Sequence, residues 1–114
     1  MLHLLVIRSD RPARLAEFYT QLGLQFDYHR HGTGAWHYSA ERDGLVFEIY
    51  PLLKNQTNAD TSLRLGFTVS NLDQLLDQLS ERNVTILRPA QVTEWGYVAV
   101  VQDPDGRKLE LKEK

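Results

Sequence analysis

A repeat within the chain constrains the fold more than any other feature. The segment DGLVFE, which ends at Glu48, recurs as DGRKLE, which ends at Glu110, 62 residues later. Each copy therefore occupies about half of the 114 residues, and a unit of that size buries too little surface to be stable alone. Two associated copies of one small unit are the simplest organisation of this chain.

Both copies predict one strand, then a helix, then three further strands. In the first copy, apolar side chains recur at helical spacing from Leu15 to Leu22. The four strands predicted around this helix are residues 2–8, 25–31, 35–42 and 45–50. In the second copy, a stripe of leucines from Leu72 to Leu79 predicts the helix. Its four predicted strands are residues 63–69, 84–87, 97–102 and 108–111.

The two copies are separated by a polar stretch, residues 52–61, which reads as a linker. The sequence thus predicts an α+β fold built from two βαβββ modules, residues 1–51 and 62–114.

Composition narrows the range of functions. There is no cysteine, which excludes disulfides, thiolate metal sites and a cysteine nucleophile. Lys and Arg number 13 against 15 Asp and Glu, a formal charge of −2 that gives no reason to expect nucleic acid or an anionic membrane as partner. No apolar run approaches the roughly 18 residues of a membrane span. We expect a cytoplasmic protein whose partner is a small molecule.

Strand alternation predicts where the polar side chains point. Phe47 and Ile49 belong against a helix, so Glu48 and Tyr50 share the opposite face. In the last strand the same alternation leaves Glu110 on the face away from the helix. The repeat also brings His3 and Arg64 to matching positions at the first strands of the two copies. These residues suggest a polar site on the helix-free faces, at the centre of the internal symmetry.

Four segments of the chain resemble a known superfamily. They are LHLLVIRSDRPARLAEFYTQLGL, DGLVFEIYPL, LGFTVSNLDQLLDQL and WGYVAVVQDPDGRKLEL, which together cover nearly the whole chain. With them the protein resembles the vicinal oxygen chelate superfamily of glyoxalases, bleomycin resistance proteins and extradiol dioxygenases. The resemblance implies that residues 1–114 form a single domain, in which the two modules curl into a glyoxalase-like half-open barrel, and that two chains form a homodimer.

The resemblance also implies a ligand set for a divalent metal. Metal-binding members carry His or Glu on the first and last strands of each module, which correspond here to His3, Glu48, Arg64 and Glu110. His3, Glu48 and Glu110 would bind Zn, Ni, Mn, Fe or Co. Glu48 and Glu110 would also be the catalytic carboxylates that move a proton. Arg64 departs from the family pattern, since relatives usually have His or Gln at this position.

Three functions are consistent with these residues. The first is a glyoxalase-like metalloenzyme, a lyase or isomerase acting on a small oxygenated substrate; glutathione would be implied only by analogy. The second is a metal-free binding protein of the bleomycin-resistance type, in which Arg64 pairs with Glu48 and Glu110. The third is an extradiol-dioxygenase-like protein, although such members usually use two histidines and one glutamate.

Further candidates lie outside this set. Arg64, His37, Tyr50 and Trp95 are predicted to contact the substrate, with ordinary structural roles for His37 and Trp95 as the alternative. His29 and His31 share one face of a strand and suggest a pair of metal ligands. Their position next to Gly32 favours the simpler interpretation, an exposed hairpin end.

Overall fold

The computed structural model describes all 114 residues. It divides into two compact units, Met1–Asp60 and Thr61–Lys114, here called the first and second module. Each has one helix and one four-stranded sheet. The predicted order, one strand, one helix and three strands, is present in both. Residues 52–64, between the two sheets, contain no helix or strand.

In the first module the helix α1 follows the first strand, as predicted. The elements are β1 (Leu4–Ser9), α1 (Pro12–Gln21), β2 (Asp27–His29), β3 (His37–Arg42) and β4 (Leu45–Pro51). The strand order is β1-β4-β3-β2, with β1 and β4 parallel and the other pairs antiparallel. The predicted apolar stripe of α1 is buried, and it packs on the apolar face of β4.

The turn between β3 and β4 explains how this hairpin closes. Asp43 and Gly44 both have positive φ, 52° and 84°. Two consecutive residues in this region make the tight turn whose twist matches antiparallel strands. The Asp-Gly pair suits the turn, because glycine adopts positive φ without steric cost and aspartate tolerates it. The predicted hairpin is confirmed.

The second module repeats this plan. Its elements are β5 (Leu65–Val69), α2 (Leu72–Glu81), β6 (Ile86–Thr93), β7 (Gly96–Gln102) and β8 (Lys108–Glu113). The strand order is β5-β8-β7-β6, with β5 and β8 parallel. The four leucines of α2 predicted to form its apolar stripe are buried, as are Leu109 and Leu111 on the facing side of β8.

Strand β6 differs most from the sequence prediction. It was expected at residues 84–87 and instead runs from Ile86 to Thr93, through Pro89. Proline cannot donate a ladder hydrogen bond and is tolerated mainly on edge strands and at bulges. Strand β6 lies at the edge of its sheet, and its register to β7 shifts between Ile86 and Arg88 and again between Arg88 and Gln91. These irregularities accommodate Pro89 within the strand.

Candidate functional site

The sheet of the first module has an apolar face and a polar face, as the alternation predicted. Phe47 and Ile49 are buried on the side of α1, whereas Glu48 and Tyr50 lie on the helix-free side. Strand pairing places Glu48 between Val6 on β1 and Ser39 on β3. Glu48 thus lies in the middle of this helix-free face.

His37 is the buried polar residue of this face. Its side chain is only 1% exposed, and its Nδ1 lies 3.0 Å from the carbonyl oxygen of Ala35. Because a carbonyl only accepts hydrogen bonds, Nδ1 carries the hydrogen and Nε2 of the neutral ring presents a lone pair. That Nε2 atom lies 3.4 Å from Oε2 of Glu48 and makes no hydrogen bond. When the ring is neutral, a lone pair and a carboxylate oxygen face each other in a largely buried position, an arrangement that a cation between them, either a proton on Nε2 or a metal ion, would stabilise.

Two more histidines join this pair. His29 lies directly opposite His37 in the β2–β3 ladder, and their ring centroids are 4.7 Å apart. The Nε2 atom of His29 is also buried without a hydrogen-bond partner. The ring of His31, beyond the end of β2, lies 5.1 Å from that of His29 and 5.3 Å from that of His37. One donor atom from each of the three histidines and from Glu48 falls within 4.8 Å of the others.

The donor types in this group suit a divalent transition metal. Neutral imidazole and carboxylate are ligands of Zn, Fe and Ni. Three neutral imidazoles and one carboxylate carry a charge of about −1, so a site holding a divalent ion would keep a net charge of about +1. Without a cation, two buried imidazole nitrogens have no partner, which is costly in a buried site.

An aromatic ring and a cation lie beside His37. The rings of His37 and Tyr50 are stacked, with centroids 4.0 Å apart and planes 9° from parallel. The guanidinium carbon of Arg8 lies 5.0 Å from the centroid of the Tyr50 ring, and Arg8 Nη1 donates a hydrogen bond to the carbonyl oxygen of Pro51. Stacking and the Ala35 hydrogen bond together fix the orientation of the His37 ring.

The residues predicted as the site are thus brought together only in part. His37 contacts both Glu48 and Tyr50. His3 precedes β1, where it is exposed, and its carbonyl oxygen accepts a hydrogen bond from the amide of Val46. It is not among the four residues whose donor atoms converge. Its role as a metal ligand stays a prediction.

The remaining predicted residues lie in the second module. Glu110 is half-buried on β8, opposite Gly66. Arg64 is exposed immediately before β5, and Trp95 is 70% exposed in the turn between β6 and β7. Glu110 as metal ligand and catalytic carboxylate, and Arg64 and Trp95 as substrate contacts, stay predictions.

For His29 and His31 the sequence favours a solvent-exposed hairpin end over a place in the site. His31 is exposed beyond the end of β2, whereas His29 is half-buried, and both lie in the cluster that contains His37 and Glu48. One signal in the sequence could have found them. A hairpin centred on Thr33, in the Gly-Thr-Gly turn, places His29 opposite His37.

No helix of the structure is both long enough and apolar enough to cross a membrane.

Solved structures with the same fold are numerous. One is an antibiotic-binding protein, TnmS3 from Streptomyces sp. CB03234. The match covers 99% of this chain and 94% of that chain, with a TM-score of 0.75 and 22% identity. The match to the oxidase ChaP-H2 covers 100% of this chain and 93% of that chain, with a TM-score of 0.75 and 17% identity. The match to an integron cassette protein from V. cholerae covers 99% of this chain and 94% of that chain, with a TM-score of 0.71 and 21% identity. At these identities the similarity establishes the fold alone.

The family comparison covers nearly the whole chain. No curated protein matches it in sequence. The model of the Glyoxalase/Bleomycin resistance protein/Dioxygenase superfamily, however, matches residues 1–111. Together with the two βαβββ modules, this match confirms the predicted glyoxalase-like fold. The chain belongs to the Glyoxalase/Bleomycin resistance protein/Dioxygenase superfamily.

Proposed function

We propose that this protein is a metal-dependent enzyme that acts on a small oxygenated substrate, as a lyase, an isomerase or a related enzyme. One observation carries the proposal: the Oε2 atom of Glu48 lies 3.4 Å from the buried, unpartnered Nε2 atom of His37. Perturbed or uncompensated polar groups of this kind concentrate at functional sites.

The residues around Glu48 would divide the work. A bound divalent ion would act as a Lewis acid toward an oxygen of the substrate. Glu48 would help to hold that ion and offers a second carboxylate oxygen that can accept a proton. The Tyr50 ring and the Ala35 carbonyl hold the imidazole of His37 in one orientation.

Metal analysis followed by a substrate screen tests the proposal. The full chain is prepared without chelators or a histidine tag, and its metal content is measured by plasma mass spectrometry. We expect close to one equivalent of metal in the wild type and very little in Glu48→Gln. Glu41→Gln alters an exposed carboxylate on β3, on the same helix-free face of the sheet as Glu48, and should keep the metal.

The metal-loaded protein is then incubated with small molecules that carry two adjacent oxygens, and product formation is followed by NMR. Turnover that Glu48→Gln abolishes would support the proposal. Protein that neither retains nor takes up Zn, Ni, Co, Fe or Mn would contradict it.

A second candidate function is metal-free binding of a flat small molecule. The helix side of the β2–β3 hairpin carries an aromatic surface, formed by Tyr28, Trp36 and Tyr38. Tyr28 and Trp36 are 56% and 47% exposed, and their rings are stacked at 5.2 Å. Arg30 lies over the Trp36 ring, 5.3 Å from its centroid. Aromatic faces of this kind bind planar ligands by stacking.

The two candidates predict different results with a small aromatic ligand. Metal-free binding requires saturable quenching of tryptophan fluorescence that Trp36→Ala removes and Trp95→Ala preserves. It also requires that the ligand be recovered unchanged. A metalloenzyme requires neither this quenching nor the recovery of unchanged ligand.

Homodimer formation and a cytoplasmic location are further parts of the proposal. Light scattering coupled to size-exclusion chromatography would test the first, and a mass of one chain, about 13.2 kDa, would contradict it.

A further inference from the structure

We infer that His29, His31, His37 and Glu48 bind one divalent transition-metal ion within the first module. The inference rests on the proposed function and names the ligands of its metal. It differs from the set that the resemblance implies, because it uses the three histidines of the β2–β3 hairpin and neither His3 nor Glu110. The site would be complete within the residues of one module.

The distance between the best-placed donors fits a bound metal. Zinc bonds to imidazole nitrogen and carboxylate oxygen are about 2.0–2.2 Å long, so two ligands at the tetrahedral angle lie roughly 3.3–3.5 Å apart. The Nε2 atom of His37 and the Oε2 atom of Glu48 are 3.4 Å apart. This separation is too long for a strong hydrogen bond but is the spacing of neighbouring ligands around an ion.

The unpartnered nitrogens point to a ligand rather than to packing alone. The Nε2 atoms of His29 and His37 are both buried without a hydrogen bond. Because Nδ1 of His37 donates to the Ala35 carbonyl, its Nε2 is in the tautomer that binds metal, with an outer partner that fixes the ring. The two unpartnered nitrogens and the nearby carboxylate provide three donors for one ion.

His31 supplies the fourth donor from a less constrained position. It is exposed and lies after β2 ends, whereas the other three donors are on strands. All four donor atoms lie within 4.8 Å of one another, and a tetrahedral set around one ion would bring them to roughly 3.5 Å. Bound metal would then link β2, the following turn, β3 and β4, and a substrate oxygen could replace His31.

Metal titration of matched variants tests this assignment. The tag-free full chain is stripped with a chelator and titrated with Zn²⁺ alone by calorimetry, and with Co²⁺ by visible absorption. We expect one ion per chain, with a Co²⁺ spectrum of tetrahedral intensity. His29→Asn, His37→Asn and Glu48→Gln should weaken binding by more than the roughly 10–100-fold that altering a mere orienting residue costs. His31→Asn should weaken it less, and His3→Asn and Glu110→Gln should leave it unchanged.

The results separate failure of this inference from failure of the proposed function. Stoichiometric metal that is lost in His3→Asn or Glu110→Gln, but kept in His29→Asn and His31→Asn, would overturn the inference while leaving the metalloenzyme intact. Absence of binding to the wild type would overturn both. His37 is buried, so its variant is checked by circular dichroism; if it does not fold, His29→Asn and His31→Asn decide the question.

Discussion

The two modules share one architecture but differ on the helix-free face of the sheet. Val100 lies opposite Glu110 as Ser39 lies opposite Glu48. Val98, two residues earlier on the same strand, therefore holds the position of His37. Gln91 pairs with Val98 as His29 pairs with His37. The second module thus keeps the carboxylate and has a valine and a glutamine in place of the two strand histidines.

This difference shows which parts of the repeat serve the fold and which serve a site. The buried leucines and the strand order recur in both copies, because each sheet must cover one apolar face with a helix. The histidines occur in one copy only, because they contribute nothing to that packing. A site added to a repeated scaffold in this way is where function should be sought.

The turns before the last strands differ as well. In the first module, Asp43 in the tight turn is exposed, and its oxygen is 3.7 Å from the Nε atom of Arg42. In the second module, the longer loop buries Arg107, whose Nη1 donates to Asp103 at 3.1 Å and to Asp105 at 3.0 Å. The Oδ1 atom of Asp103 also accepts hydrogen bonds from the backbone N–H groups of Asp105 and Arg107.

The largest effect on stability should come from this loop. Asp103→Ala removes the carboxylate that Arg107 contacts and leaves a buried cation with reduced compensation, which should lower the free energy of unfolding by about 3 kcal/mol. Asp43→Asn, at the exposed turn of the first module, should change it by less than about 0.5 kcal/mol. Urea unfolding of both variants measures the difference. Equal effects would show that the two turns are energetically alike.

Metal-linked stability should belong to the first module. With Zn²⁺ at a hundredfold excess over its dissociation constant, the wild type should gain about 2.7 kcal/mol of unfolding free energy. Glu110→Gln should retain the gain and His29→Asn should lose it. The measurement is urea unfolding with and without Zn²⁺. Loss of the gain in Glu110→Gln alone would transfer the site to the second module.

The starts of the two helices should respond differently to a capping change. In the second module, Oε1 of Glu113 accepts the backbone N–H of Leu72 at 3.0 Å, at the first turn of α2. Pro12 begins α1, which has no side-chain cap. Glu113→Ala should therefore cost about 1 kcal/mol by loss of the hydrogen bond and of the helix-dipole interaction. Glu94→Ala, at an exposed position, is the control; equal unfolding midpoints for the two variants would contradict the assignment.

The smallest effect concerns an exposed hydrogen bond of the second module. The Tyr97 hydroxyl donates to Asp73 at 2.7 Å. This bond is the main cause that raises the pKa of Tyr97 above its ordinary value of 10.0, because the neutral phenol is the donor. Its small stabilisation is complete below the ordinary pKa and is lost as the pH rises through the raised one.

Tyrosinate absorbance during a pH titration measures this shift. The wild type should contain a tyrosine that titrates late, and Asp73→Asn should bring its titration to lower pH. Superimposable curves for the two proteins would show that the bond does not persist in solution.

The sequence was sufficient for most of the fold. Apolar spacing located both helices, and strand alternation placed Glu48 and Glu110 on helix-free faces, because periodicity is a local property of the chain. Asp-Gly located the tight turn for the same reason. The exception was β6, which continues through Pro89. Its bulges and its place at the sheet edge accommodate the proline, and both depend on how β6 pairs with β7.

The candidate site was predictable only in part. Glu48 and Tyr50 could be predicted from the alternation of their strand. His37 could be named as a candidate within the predicted strand of residues 35–42. The place of His29 and His31 depends on the β2–β3 register, which sets whether two imidazoles are neighbours or lie on opposite faces. The sequence by itself determined the repeated modules and the face on which Glu48 lies. Only the tertiary structure decided that three histidines converge on that carboxylate, because their separation depends on hydrogen bonds between strands rather than on spacing along the chain.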